Sequence, residues 1–394
     1  MSRFVPLSIP NFEGNERKYV DEAIDQGWVS TGGAYITKLE EQLASFLDVF
    51  NVAACQSGTS GLHLALVDCG VQPGDMVIVP TLTFIAAVNP VKYQFAAPVF
   101  MDCDDSLCID PEKLQEFCER ECRMKNGKLI HNATKKHVKA VIVVHVFGNM
   151  ADMEAIMEIA EQYSLTVIED ATEALGTYYT KGKYKGKYAG TIGDYGVYSF
   201  NGNKIITTGG GGAVTAKEAE KVDHLRYFST QAKDDPHYYI HNEIGYNYRM
   251  TNVQAAIGAA QMEELEEFIK RKHRNYNLYQ SLFSGYELGT LLGFREGIYS
   301  NQWFYSLQIS MDRIHGTMRD VITRLGKKGV QTRAIWGLIH EQKPYADSVC
   351  YKIEKASYYS GCILNIPSTT QLTEDDIKYS TEMIKEVLGD LSDE

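Results

Sequence analysis

Residues 193–214 read GDYGVYSFNGNKIITTGGGGAV, and the reading of this stretch decides the fold. From Tyr195 to Phe200, aromatic or β-branched residues alternate with small ones, the period of a half-buried strand. That strand delivers Lys204. Four glycines, Gly209, Gly210, Gly211 and Gly212, follow closely, and glycine lets backbone bend sharply or approach a bulky group. A lysine held beside such a crowded cavity loses solvation of its ammonium form, so its amine becomes available to condense with a carbonyl. Most lysines are solvent-exposed, so the neighbourhood has to decide.

Upstream, short apolar runs at 76–79, 99–102, 139–145 and 166–168 alternate with helical patterns at 85–93, 111–122 and 151–163. Strands of this length between helices predict parallel β/α architecture. In such sheets, polar residues just past the strands' C-terminal ends gather at one edge, where ligands bind. His145, Asp170 and Lys204 all fall at such ends, and so does the Ser57–Thr59 turn, which opens an apolar helix at 62–69. Hydroxyls and glycine at a helix entrance leave N–H groups free for an anion, although ordinary capping uses the same residues. The expected fold is α/β, a mostly parallel seven-stranded sheet flanked by helices over residues 1–250. A long helix at 251–283 then leads into a smaller α+β domain at 251–394, with a strand at 306–309 and helices at 318–327 and 374–388. The basic run 124–137 reads as a solvated insertion.

Composition narrows the function. The 39 basic and 51 acidic residues give a net charge of −12, which argues against nucleic acid as a partner. The cysteines at 55, 69, 103, 108, 118, 122, 350 and 362 contain no Cys-x-x-Cys pair, so reduced thiols are expected rather than a disulfide framework or metal site. No stretch reads as a signal peptide or a spanning helix, and the expectation is a cytoplasmic protein without membrane contact.

An enzyme that uses pyridoxal phosphate needs a lysine for the cofactor aldehyde, a carboxylate against the pyridine nitrogen, donors for the phosphate and a flat face on the ring. Lys204, Asp170, the group Gly58, Thr59 and Ser199, and Phe84 are candidates for these parts in turn. Each alone is a weak signal. Their order along the chain is that of a fold-type I pyridoxal enzyme.

The chain resembles the DegT/DnrJ/StrS group of nucleotide-sugar aminotransferases. The resemblance is carried by SGTSGLHLAL from Ser57, VPTLTFIAAVN from Val79, HVFGNMADMEAI from His145, IEDATEALG from Ile168, GDYGVYSFNGNK from Gly193 and GYNYRMTNVQAAIG from Gly245. With LNIPS from Leu364, it is most similar to enzymes that aminate C4 of UDP-linked 4-keto-6-deoxy-N-acetylhexosamines. The resemblance implies that Lys204 bonds the cofactor and moves the proton, that Asp170 faces the ring nitrogen, that Gly58, Thr59 and Ser199 hold the phosphate, and that Phe84 covers the ring. It implies that Asn247 reaches the phosphate of a neighbouring subunit, hence a homodimer with shared active sites. The position of Glu173 is often glutamine in relatives, next to the ring hydroxyl, so Glu173 is expected to be protonated, to face the substrate amine, or to point away.

The implied reaction is a ping-pong transfer in which L-glutamate gives its amine and leaves as 2-oxoglutarate, after which the nitrogen passes to the sugar ketone. Arg333, Arg249, Thr31 and His340 are candidate substrate contacts, since guanidinium forks match carboxylate and phosphate. Alternatives are a 3-keto sugar or cyclitol aminotransferase, a dehydratase, against which Lys204 counts, and a regulatory protein that binds the cofactor without turnover.

Overall fold

The computed structural model describes residues 3–393. Met1, Ser2 and Glu394, at the outer ends of the two expected domains, lie outside the described residues. The large sheet runs in the order Ala53–Cys55, Gly212–Ala216, Tyr195–Ser199, Thr166–Asp170, His137–Val144, Met76–Pro80, Ala97–Met101, Val349–Tyr351. The strands from Tyr195–Ser199 through Val349–Tyr351 pair in parallel, and only the first two pair antiparallel at their end. All five residues of Met76–Pro80 are buried, as expected when helices cover both faces.

Seven strands form the expected body, and the sheet extends to ten. Val349–Tyr351, from the last quarter of the chain, adds to one edge beside Ala97–Met101. The other two additions correct the reading of the basic run. Cys122–Lys125 and Lys128–His131 form a hairpin that pairs antiparallel with His137–Val144. Its turn is Asn126-Gly127, both in the left-handed region at φ 51° and 71°. This dipeptide matches the twist of two-residue hairpins, and Leu129 and His131 face inward while the lysines face water. The charge run had masked that turn signal.

The 32-residue helix Asn252–Phe283 begins with a capping box in which Thr251 and Gln254 satisfy each other's backbone N–H groups. Ala255, Ala256 and Ala259 are buried along it, and such small side chains let it lie close to helices Glu16–Asp25 and Ala34–Leu47. A second sheet, Gly289–Leu291, Tyr305–Ile309, Ile363–Ile366 and Arg333–Ala334, is wholly antiparallel. Its core gathers Tyr279, Tyr305, Leu307, Ile384 and Leu388, together with Val5 from the start of the chain. Among the described residues, no helix is long and apolar enough to cross a membrane, and all eight cysteines are free.

Candidate active site

One cavity of about 670 Å³ opens at the C-terminal edge of the parallel strands. Its first wall is the entrance of helix Gly58–Asp68. Ser57 caps this helix: its hydroxyl accepts from Ser60 N–H at 3.1 Å, and Ser60 Oγ accepts from Ser57 N–H at 2.9 Å. The first-turn N–H groups of Gly58 and Thr59 have no partner inside the helix and sit at the positive end of its dipole. Behind the turn, a Cβ on Gly212 would lie 2.6 Å from the carbonyl carbon of Ser57. The bare glycine therefore lets strand Gly212–Ala216 back directly onto the turn.

Asp170 ends strand Thr166–Asp170 and is 3% exposed. Burial pushes its carboxyl pKa up, while hydrogen bonds from Thr172 and the charge of Lys204 pull it back. Strand alternation turns the preceding residue to the opposite face. There the buried Glu169 accepts from the N–H groups of Gly190, Ile192 and Gly193 and, at 2.8 Å, from His145 Nε2. His145 Nδ1 accepts from Ala151 N–H, which assigns the proton to Nε2. His145 thus buttresses the floor and does not line the cavity; Glu169 as the hub of this loop was not legible in sequence.

Lys204 follows strand Tyr195–Ser199 in a turn closed by its own N–H to the Asn201 carbonyl at 3.0 Å. Its Nζ lies 3.4 Å from Glu173 Oε1 and 4.1 Å from the centre of the Trp303 ring. Glu173 therefore faces the lysine. It is 5% exposed, and its Oε2 accepts from Phe147 N–H at 2.8 Å. Burial drives the Glu173 carboxyl pKa up against the opposing charge of Lys204. Phe147 adopts left-handed backbone, φ 56° and ψ 23°, a conformation that costs a bulky residue energy and that clusters at functional sites. Its ring packs on Trp336 at 4.7 Å, beside the stacked pair Trp303 and Phe304. Trp303, Phe304 and Trp336 come from the C-terminal third, and no local pattern pointed to them.

Of the residues singled out in sequence, Gly58, Thr59, Phe84, Asp170, Glu173, Ser199, Lys204 and Arg333 line this cavity. Four others do not. Thr31 and Asn247 are exposed, the latter accepting from Gln231 Nε2 at 3.1 Å. Arg249 is buried and committed to Glu40 and to the Ala54 carbonyl, because a buried guanidinium needs a carboxylate partner. His340 Nδ1 bonds Thr81 Oγ1 at 2.6 Å.

The donor set fits pyridoxal phosphate. Free N–H groups and hydroxyls of Gly58, Thr59 and Ser199, the buried carboxylate of Asp170, the amine of Lys204 and the ring of Phe84 all line the one cavity. Arg333, Trp303, Phe304 and Trp336 line the same cavity.

A family model described as the DegT/DnrJ/EryC1/StrS aminotransferase family matches residues 10–385. The chain is 36% identical to a GDP-perosamine synthase of Caulobacter vibrioides, over 98% of each chain. It is 35% identical to a GDP-perosamine synthase of Escherichia coli O157:H7, over 98% of this chain and 100% of that one. Among solved structures, the aminotransferase TlmJ from Streptoalloteichus hindustanus superposes with a TM-score of 0.87 at 24% identity, over 99% of this chain and 100% of that one.

Proposed function

We infer the reaction from the premise that this chain belongs to the DegT/DnrJ/EryC1/StrS aminotransferase family. It is a pyridoxal phosphate-dependent sugar aminotransferase. The transfer we propose runs from L-glutamate to the C4 ketone of a nucleotide-linked 4-keto-6-deoxy sugar, with 2-oxoglutarate released. The observation that carries it is the single cavity in which Lys204 Nζ, the Asp170 carboxylate and the Gly58–Thr59 turn converge.

When bound, the cofactor supplies an aldehyde that receives an amino nitrogen and a ring that spreads negative charge from the deprotonated carbon. Lys204 would hold that aldehyde and, once free of it, would move the proton between the substrate carbon and the cofactor carbon that bears the nitrogen. Asp170 would keep the ring nitrogen protonated, since a buried carboxylate is best stabilised by a cation facing it. Gly58, Thr59 and Ser199 would hold the phosphate, and Phe84 would cover the ring. Arg333, which lines the same cavity, takes the carboxylate of glutamate or a phosphate of the nucleotide. Phe147, Trp303 and Trp336 exclude water.

The active unit in this reading is a homodimer, with Asn247 and Thr31 of one subunit reaching the cavity of the other. Their exposure supports this, as do Trp28, Tyr238 and Ile244, which are 61%, 80% and 87% exposed.

Within the substrate class, the FNGNK and IEDATEA motifs favour a UDP-linked N-acetylhexosamine. A second reading, a GDP-linked hexose, is favoured by the names of the two relatives. Mixing the enzyme with ¹⁵N-glutamate and either the UDP- or the GDP-linked 4-keto sugar separates them. The label enters the sugar of the true acceptor, and 2-oxoglutarate released with neither sugar aminated would refute the C4 acceptor class.

A further inference from the structure

Glu173 stands where it can act on the lysine rather than on the cofactor ring. Its Oε1 is 3.4 Å from Lys204 Nζ, and its Oε2 is fixed by the Phe147 N–H at 2.8 Å. With one oxygen tied to strained backbone, the carboxylate cannot swing toward another partner. Both side chains are nearly buried, 12% exposed for Lys204 and 5% for Glu173. Water therefore does little to shield one charge from the other. The other charged side chains that line the cavity with the amine and Glu173 are Asp170 and Arg333, and the imidazole packed behind Asp170, that of His145, is neutral. Asp170 is held by Thr172 N–H at 3.1 Å. The Trp303 ring closes the other side of the amine at 4.1 Å.

We propose that Glu173 is the charge partner of Lys204: it holds the ammonium whenever the lysine is free, returns Nζ to one position between half-reactions, and gives up its own charge when the ammonium is absent. A lysine that carries a proton between two carbons must be held as both amine and ammonium. An anion on a fixed arm stabilises the second state without bonding the first. The inference rests on the reading of Lys204 as the amine that bonds the cofactor. That reading fails separately, if borohydride fixes pyridoxal phosphate at another residue.

The test uses the cofactor-free chain. Trace acylation with acetic anhydride at neutral pH, read by peptide mass against the exposed Lys217, reports how much of Lys204 is free amine. Glu173→Gln keeps an acceptor for Phe147 N–H and removes the charge. We expect Lys204 to be acylated several-fold faster in it than in the unaltered chain. Equal rates in folded protein overturn the proposal. A second measurement covers the case in which that variant does not fold. In Lys204→Met the unpartnered Glu173 takes up a proton at neutral pH, which gives the infrared carbonyl band of a buried carboxylic acid. The band is expected in Lys204→Met, absent from the unaltered chain and absent from Lys204→Met/Glu173→Gln. No band in Lys204→Met, or a band that survives in the double variant, refutes Glu173 as the partner.

Discussion

Trp303 grips Lys204 twice: its ring faces the amine at 4.1 Å, and its indole N–H donates at 2.6 Å to the carbonyl of Asn203, the residue immediately before the lysine. Trp303→Phe keeps the ring and drops the N–H donor, and Trp303→Ala drops both. Turnover is expected to fall in that order, with the alanine variant losing on the order of 100-fold, as misplacing a reacting atom by about 1 Å does. Equal kcat for both variants and the parent would show that the bracket has no part in the reaction.

Lys204 and Asp170 differ in what they lose. In the proposed reaction Lys204→Ala removes the acid and base, a loss of about 10²–10⁴-fold or more. Asp170→Asn leaves the amine in place and removes one electrostatic partner, about 10²–10³-fold. Borohydride reduction with peptide mapping is expected to place the cofactor on Lys204 in Asp170→Asn and nowhere in Lys204→Ala.

Gly58 packs so tightly that an added Cβ would sit 2.7 Å from Thr172 Cγ2 and 3.1 Å from Ser199 Cβ. Gly58→Ala must push the phosphate turn aside, at about 1–3 kcal/mol. Pyridoxal phosphate affinity, measured by titrating the cofactor-free protein, is expected to weaken about tenfold or more. Unchanged affinity would remove the turn from the cofactor site.

Lys272 lies in the long helix and has no carboxylate partner among the described residues. It is 2% exposed, and its ammonium donates to the carbonyls of Trp303, at 2.7 Å, and Ser368. Burial lowers its pKa from 10.5 to about 7. Between these values the unfolded chain keeps a proton that the folded chain releases, so stability rises with pH across the window. At about 1.4 kcal/mol per unit, the effect is on the order of 5 kcal/mol when complete. Urea midpoints at pH 7 and pH 9.5 are expected to rise in the parent more than in Lys272→Met. Parallel changes in the two would show that Lys272 does not titrate in this range.

The strand and helix alternation, the Ser57 turn, the strand-end Asp170 and Lys204 were all legible because each is written locally. A period of two, a capping hydroxyl or a glycine run needs only its neighbours. The Asn126-Gly127 hairpin was equally local, but the four lysines and two histidines of the run 124–137 read as solvent. Arg249 shows the opposite limit. An arginine in a motif that faces an active site is indistinguishable in sequence from one that neutralises a buried carboxylate, and only the position of Glu40, 209 residues away, decides between them.

The amino-acid sequence by itself determined the class of fold, the family and the lysine, turn and carboxylate of the cavity, because hydrophobic period and contiguous motifs survive without knowledge of distant contacts. The tertiary structure alone decided that Glu173 faces Lys204, that Phe147 is strained to hold it there, and that Trp303 and Trp336 close the cavity from the C-terminal third. Those are matters of which surfaces meet when two cores form against each other, and the orientation of a side chain at such a junction is set by packing and desolvation that no single segment encodes.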